Sequence, residues 1–177
     1  MSTKNFYPQF PEITPKKTSV DMAVVIAFAK TLVGKYPLEV VRVAYVIFRN
    51  ESGNGKLGVN NNYGGIQADN AVWEGLDLSN VVGTCVQVDG NHETRRFLCF
   101  NDNGHEACFE FICYKVQQRK MYSLITATAD MTISALDKIA NECYRKYQEK
   151  WVCNPSEDTN DARKGFVSMY KQSLYRV

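Results

Sequence analysis

The chain has 177 residues, enough for one domain with a proper core. Its 45% hydrophobic and 23% charged residues read as an ordinary globular protein rather than a disordered segment. A net charge of +2 is too weak to argue for a nucleic-acid partner, and none is expected, although an anionic polymer such as cell wall stays compatible. The longest apolar run, Met22 to Ala29 between Asp21 and Lys30, falls well short of a membrane span.

Residues 1–17, with three prolines and no apolar h-region, read as an extended N-terminal arm. Ala27-Phe28-Ala29 mimics a signal-cleavage tripeptide, but cutting there would remove half of a helix, so no signal peptide is expected and synthesis in the cytoplasm is. Residues 18–177 read as a single domain. Thr18 and Asp21 resemble a capping box opening a first helix over 19–34. Pro37 suits the start of a second helix over 37–52, in which Val40, Val41, Ala44, Ile47 and Phe48 recur at helical spacing and Gly53 closes the pattern.

The Gly- and Asn-rich passage 53–62 is a loop. Val81 to Val88 and Arg95 to Phe100 read as a hairpin turned at Asp89-Gly90. Helix three follows within 101–120, with Cys108, Phe111, Ile112 and Val116 on one face, and further helices fit Tyr122–Met131, Ile133–Gln148 and Asp161–Leu174. The fold class is α+β, mainly helical, with a small β-hairpin lobe. Six cysteines without a CxxC pair, and only His92 and His105 as histidines, predict buried reduced thiols, no metal site and no cofactor.

The chemistry concentrates where the second helix ends. Glu51 lies three residues after Phe48, four after Ile47 and seven after Ala44, on the apolar face, so its carboxyl emerges at the edge of the core. Partial burial and the negative end of the helix dipole both raise a carboxyl pKa. An acid held protonated near neutral pH is able to protonate a leaving oxygen, the task in glycosidic bond cleavage. Downstream, Asn62-Tyr63-Gly64-Gly65-Ile66-Gln67 offers glycines for close approach and amides that read sugar hydroxyl and acetamido groups. Tyr63 and Trp73 offer aromatic faces for sugar rings, or fill the core.

Glu51-Ser52-Gly53, the Asn-rich loop and "NNNYGGIQ" resemble the lysozyme-like superfamily of peptidoglycan-cleaving enzymes. The nearest resemblance is to bacterial and phage endo-β-N-acetylglucosaminidase domains of the flagellar-muramidase and autolysin type, with their "ESGWG"-like and "NNLFGIK"-like runs. Trp73-Glu74-Gly75, the 95–116 stretch and the 150–171 stretch are similar to later parts of that family in the same order, so the resemblance touches about residues 37–175. It implies a lysozyme-like fold, with a helical lobe and a β-lobe flanking a cleft for glycan strands, and a β-1,4 bond between N-acetylglucosamine and N-acetylmuramic acid as the target. Glu51 is then the general acid.

Goose-type lysozymes and lytic transglycosylases carry a "GLMQVD" run similar to Gly65-Ile66-Gln67-Ala68-Asp69, which makes Asp69 the first candidate for a second carboxylate. Asp89 is the second candidate, and Glu93 lies nearby. The strand acid usual in the glucosaminidase type is absent from Thr84-Cys85-Val86-Gln87. Trp151 falls where that family has a tyrosine and keeps an aromatic wall. Asn62, Tyr63, Gly64, Gly65, Gln67, Trp73 and Trp151 are thus the expected substrate contacts. The alternatives are a muramidase or lytic transglycosylase, or a non-catalytic lysozyme-fold module binding glycan or protein in a phage particle or secretion machine. An enzyme without a signal peptide would reach the wall after lysis, by export or within a virion.

Overall fold

The computed structural model describes residues 4–88 and 92–177. The expected Asp89-Gly90 turn, and Asp89 as a candidate acid, lie outside the described residues. The architecture mixes helix with two small antiparallel sheets, an α+β arrangement.

At its centre stands α2, Leu38–Glu51, in which every residue from Glu39 to Phe48 is buried. A helix enclosed on all faces belongs inside a core. Helices α1 (Met22–Thr31), α3 (Gly104–Gln118) and α5 (Asn160–Ser173) pack on it, and α4 (Ile133–Tyr147) packs on α5. Phe48 is the aromatic hub, 5.8 Å from the rings of both Tyr63 and Phe109.

The two buried charges of α2 are paired. Arg42 donates to Glu39 at 2.6 Å, and Tyr170 of α5 donates to the other Glu39 oxygen. Buried charges are tolerated only when partnered in this way.

That pair explains the one helix that does not form. Residues 122–131 were expected to be helical; the chain there is irregular. The backbone N–H of Ala127 donates to Glu39 at 3.1 Å, and its carbonyl accepts from Arg42 at 2.7 Å. Peptide groups claimed by a buried ion pair are lost to an intrahelical ladder. Leu124 and Ile125, within that stretch, are exposed.

The remaining helices stand within a few residues of expectation. Thr18 and Asp21 do not form a capping box. Thr18 belongs to a short strand, β1 (Lys17–Thr18), and Asp21 is itself the cap, accepting from the Ala23 N–H at 2.8 Å.

Strand β1 pairs with β2, Gly58–Val59, a ribbon the sequence did not announce. Strands β3 (Val81–Val88) and β4 (Thr94–Phe100) form the expected hairpin.

The N-terminal arm is extended, and it is built into the body. Pro11 and Ile13 exchange backbone hydrogen bonds with Thr84 on β3. The Phe6 N–H reaches the Ala68 carbonyl at 2.9 Å. Tyr7 is 1% exposed, and its hydroxyl accepts from the Trp73 N–H at 2.6 Å. The arm therefore clamps the loop that follows α2.

A buried aromatic ring cut to a methyl group typically costs 3–5 kcal/mol. Tyr7→Ala is expected to lower unfolding stability by about 3 kcal/mol, read from the urea midpoint at unchanged slope. A loss below about 0.5 kcal/mol would mean that the arm contributes no core.

Candidate active site at the end of the central helix

Helix α2 stops by design of its sequence. Ser52 is fully buried; its hydroxyl donates to the Phe48 carbonyl at 2.6 Å and accepts from the Gly55 N–H at 2.9 Å. Gly53 follows at φ 54°, a backbone region that glycine enters without strain. The last helical residue is Glu51.

The Glu51 carboxyl is held from one side. Its Oε1 accepts from the Trp151 indole N–H at 3.1 Å and from the Tyr147 hydroxyl at 3.3 Å. The oxygen of Tyr147 accepts in turn from Asn50 Nδ2 at 2.8 Å, which leaves the phenolic proton for Glu51.

Both donors come from one stretch of chain. Helix α4 ends at Tyr147 and continues into a π-helical turn, Gln148–Val152, closed by the Cys153 N–H on the Gln148 carbonyl at 2.9 Å. Such turns are rare and recur at functional sites. Here the widened turn carries Trp151 to the acid.

Burial is the largest influence on Glu51 and pushes its pKa above the usual carboxylate range. The bonds from Trp151 and Tyr147 pull it partly back, and the charge of Glu157 pushes it up again. The residue keeps an exposed surface, so a carboxyl surrounded by protein is still reachable from solvent. With Oε1 accepting twice, a proton belongs on Oε2, which makes no intramolecular hydrogen bond among the described residues.

Glu51 opens onto a cleft of about 280 Å³. Gly64, Gly65, Ile66, Gln67 and Asn70 form one side, and Trp73, Phe111, Lys115, Arg119 and Trp151 the other. Gly65 has φ 60° with nothing within 4 Å of where a Cβ would stand, so the backbone itself faces open space. Trp73 is half-buried, edge-on to Phe111 at 5.8 Å, with its indole N–H on the Gln67 carbonyl at 2.5 Å. It is wall and core at once.

A second hollow of about 370 Å³, lined by Asn50, Tyr147, Val152 and Glu157, meets the first at Glu51 and Trp151. A larger cavity, about 780 Å³, lies along α4 beside Tyr144, Arg145 and Arg163 and shares no lining residue with the cleft. Its two carboxylates are partnered within it, Asp158 accepting from the Tyr144 hydroxyl at 2.7 Å and Glu149 lying 3.8 Å from Arg145. Chemistry, not size, selects the smaller cleft.

The structure brings together Glu51, Gly64, Gly65, Gln67, Trp73 and Trp151 and leaves out Asn62, Tyr63 and Asp69. Asn62 is buried and fully spent: its amide donates to the Ile66 and Leu98 carbonyls, and its oxygen accepts from the Ile66 N–H at 3.0 Å. Tyr63 is 3% exposed and packs on Phe48, so it fills the core and offers no face to a sugar.

Asp69 does not line the cleft. Its Oδ2 accepts from the backbone N–H of Arg96 on β4 at 2.9 Å, which ties the loop to the hairpin. Glu93 is ion-paired with Arg95 at 2.5 Å. Glu51 is thus the only carboxylate lining this cleft among the described residues.

Sequence reasoning missed Tyr147, Lys115, Arg119 and Glu157. Their one available signal was helical register: 147 and 151 are four apart on one face, as are 111, 115 and 119.

All six cysteines are free, five of them buried. Among the described residues no group of three His, Cys, Asp or Glu side chains is arranged to hold a metal ion, and no helix is long and apolar enough to cross a membrane. No protein-family model, curated protein or solved structure matches the chain.

A carboxyl whose folded pKa is raised contributes its full stability below the unfolded value of about 4.3 and loses it as pH rises through the folded value. Glu51→Gln, neutral and nearly isosteric, is therefore expected to raise Tm above wild type at pH 8 and to match it near pH 4. Equal Tm differences at the two pH values would show that Glu51 is not strained by ionisation.

Proposed function

We propose that the protein cleaves glycan strands of peptidoglycan at a β-1,4 bond between N-acetylglucosamine and N-acetylmuramic acid, with Glu51 as general acid, on a fold of the lysozyme-like kind. The observation that carries the reading is the state of Glu51. It is a carboxyl of raised pKa, anchored through one oxygen, free at the other, at the floor of a cleft walled by tryptophans and glycine backbone. A carboxyl whose pKa is raised by burial, beside a surface fit for sugar rings, suits protonation of a glycosidic oxygen. The sequence resemblance over residues 51–67 supports the same reading.

The steps follow from the residues present. Sugar rings lie against Trp73 and Trp151, with Gln67, Asn70 and the Gly64-Gly65 backbone facing their hydroxyl and acetamido groups. Oε2 of Glu51 gives its proton to the bridging oxygen as the bond to the leaving sugar breaks. The Trp151 and Tyr147 donors then stabilise the carboxylate left behind, since a hydrogen bond to a charged acceptor is stronger than one to a neutral acceptor.

The oxocarbenium-like charge needs a partner. With Asp69 turned to β4, the acetamido oxygen of the substrate is the group that fits, the substrate-assisted variant of glycoside cleavage. Glu51, now ionised, is the base for the water or sugar hydroxyl that completes the reaction. A hydroxyl of the same sugar in that step gives an anhydro product, the transglycosylase outcome.

The single carboxylate of the cleft also favours a second reading, a module that binds glycan without cutting it. In either case the site of action is the cell wall, reached by export, at lysis or within a phage particle or secretion machine.

The deciding experiment is mass spectrometry of soluble products from purified peptidoglycan, with wild type against folded Glu51→Gln. Wild type is expected to release fragments, and the variant to be slower by about 10²–10⁴-fold, the span of a general acid. The reducing-end sugar then names the bond. Release by neither protein from several wall types gives first place to the binding module. Release by both removes Glu51 from the chemistry.

Tyr147→Phe tests the anchor. It removes a bond that lowers the acid's pKa, so the alkaline limb of the pH–rate profile is expected to move to higher pH with a lower kcat. An unmoved limb would confine Tyr147 to packing.

A further inference from the structure

The cleft that holds Glu51 carries two cations, Lys115 and Arg119, one turn apart on and just beyond the end of α3. Neither forms an ion pair among the described residues. This is unusual for Lys115, which is only 7% exposed, because buried ammonium groups are normally matched by a carboxylate.

The surroundings of Lys115 are aromatic. Its Nζ lies 5.8 Å from the Trp73 ring centre, 5.5 Å from Phe111 and 5.3 Å from Tyr114, and it donates to Gln118 Oε1 at 3.2 Å. Ring faces attract a cation without cancelling its charge. Burial, then the charge of Arg119, pulls the Lys115 pKa down, while exposed Glu74 acts weakly in the other direction.

Arg119 is fixed in place by a reciprocal clasp. Its Nη1 donates to the Lys150 carbonyl at 2.6 Å, and Lys150 Nζ donates to the Arg119 carbonyl at 3.0 Å. The rest of its five-donor fork remains for a ligand. Two cations against the single carboxylate of Glu51 leave the lining of the cleft net positive.

The geometry points to Lys115 and Arg119 as a carboxylate-binding wall that selects acidic, muramyl-containing glycan over neutral N-acetylglucosamine polymer. This inference rests on the glycan-cleaving reading and deepens it: the second sugar type of the strand differs from the first by its lactyl ether, the group that brings a carboxyl function to the strand. The carboxylate comes either from a free lactyl group on peptide-free strands or from the stem peptide attached there. Lys115 and Arg119 recognise the same anion in both, a bidentate acceptor suited to the guanidinium fork.

The test is calorimetric binding to full-length Glu51→Gln protein, so that no ligand is consumed. Three tetrasaccharides serve as probes: N-acetylglucosamine alone, alternating N-acetylglucosamine and N-acetylmuramic acid with free lactyl groups, and the same strand carrying stem peptides. At least one carboxylated probe is expected to bind about 10-fold or more tighter than the neutral one, the scale of one charge-assisted hydrogen bond, with the preference shrinking as salt rises.

Arg119→Gln, at an exposed position, and Lys115→Met, which keeps the apolar stem, are each expected to erase most of the preference, the carboxylated probes losing far more affinity than the neutral one. The neutral Kd also reports whether each variant has folded. If free-lactyl strands hold the advantage, the anion is the lactyl carboxylate; if only peptide-bearing strands do, it is the stem peptide. Equal binding of all three probes, or a preference that survives both variants, overturns the wall and leaves the glycan site standing. No binding by any probe overturns both.

Discussion

The structure depends on how α2 ends. This helix is enclosed along nearly its whole length, so its last turn is delivered to the one place where the core meets the cleft. Ser52 turns its hydroxyl back on the Phe48 carbonyl, Gly53 takes the left-handed conformation, and the side chain before them is left at the boundary. A carboxyl at that boundary is destabilised when charged and is held in one orientation by Tyr147 and Trp151. The neighbouring elements then have defined tasks. The Asn-rich loop carries the glycine wall, α3 carries the aromatic and cationic wall, and the π turn after α4 carries the anchor.

The sequence shows this plan in part. The apolar spacing of Val40, Val41, Ala44, Ile47 and Phe48 locates α2, and with it the placement of Glu51 on the core side. The alternating apolar residues of 81–100 locate the hairpin. What stays hidden depends on distant partners. The peptide of Ala127 is taken by Glu39 and Arg42, more than eighty residues earlier, and no local pattern around 122–131 reveals it. Asn60, Asn61 and Asn62 look like a polar surface for sugars. Two of them hold left-handed backbone, and all three spend their amides on the arm, the hairpin and the loop. Their composition is that of a binding loop, but their work is to shape one.

The aromatic residues divide the same way. Tyr63 and Trp73 look alike as candidates. Tyr63 is drawn inward by Phe48, whereas Trp73 is stopped at half-burial by its bond to the Gln67 carbonyl and its contact with Phe111. Trp151 was legible as an aromatic wall, but its bond to Glu51 was not. An α-helix continued through 148–152 would have turned the indole by a different angle, and the π turn has no clear sequence signature. Asp69 misled because a carboxylate two residues past Gln67 is near the site along the chain. The backbone N–H of Arg96 claims it in space.

Charge gives the cleft its internal logic. A protonated acid and unpaired cations would conflict if they stood together, since a nearby positive charge favours the carboxylate. Burial chiefly raises the Glu51 pKa, and the only charge that adds to it is the negative one of Glu157, which lines the adjoining hollow. The positive charge of Lys115 stands among Trp73, Phe111 and Tyr114, and the charge that disfavours it is that of Arg119. On the proposed reading, one small cleft does two opposite things: it disfavours the charged form of its own carboxyl and attracts the carboxylate of a ligand. By the same reading, two demands follow: the acid of raised pKa calls for a proton acceptor and the cations for an anion. A ligand that offers a bridging ether oxygen and, a short way along, a carboxylate relieves both at once. On that reading, the pairing, more than the shape of the cleft, would distinguish an acidic glycan from a neutral one.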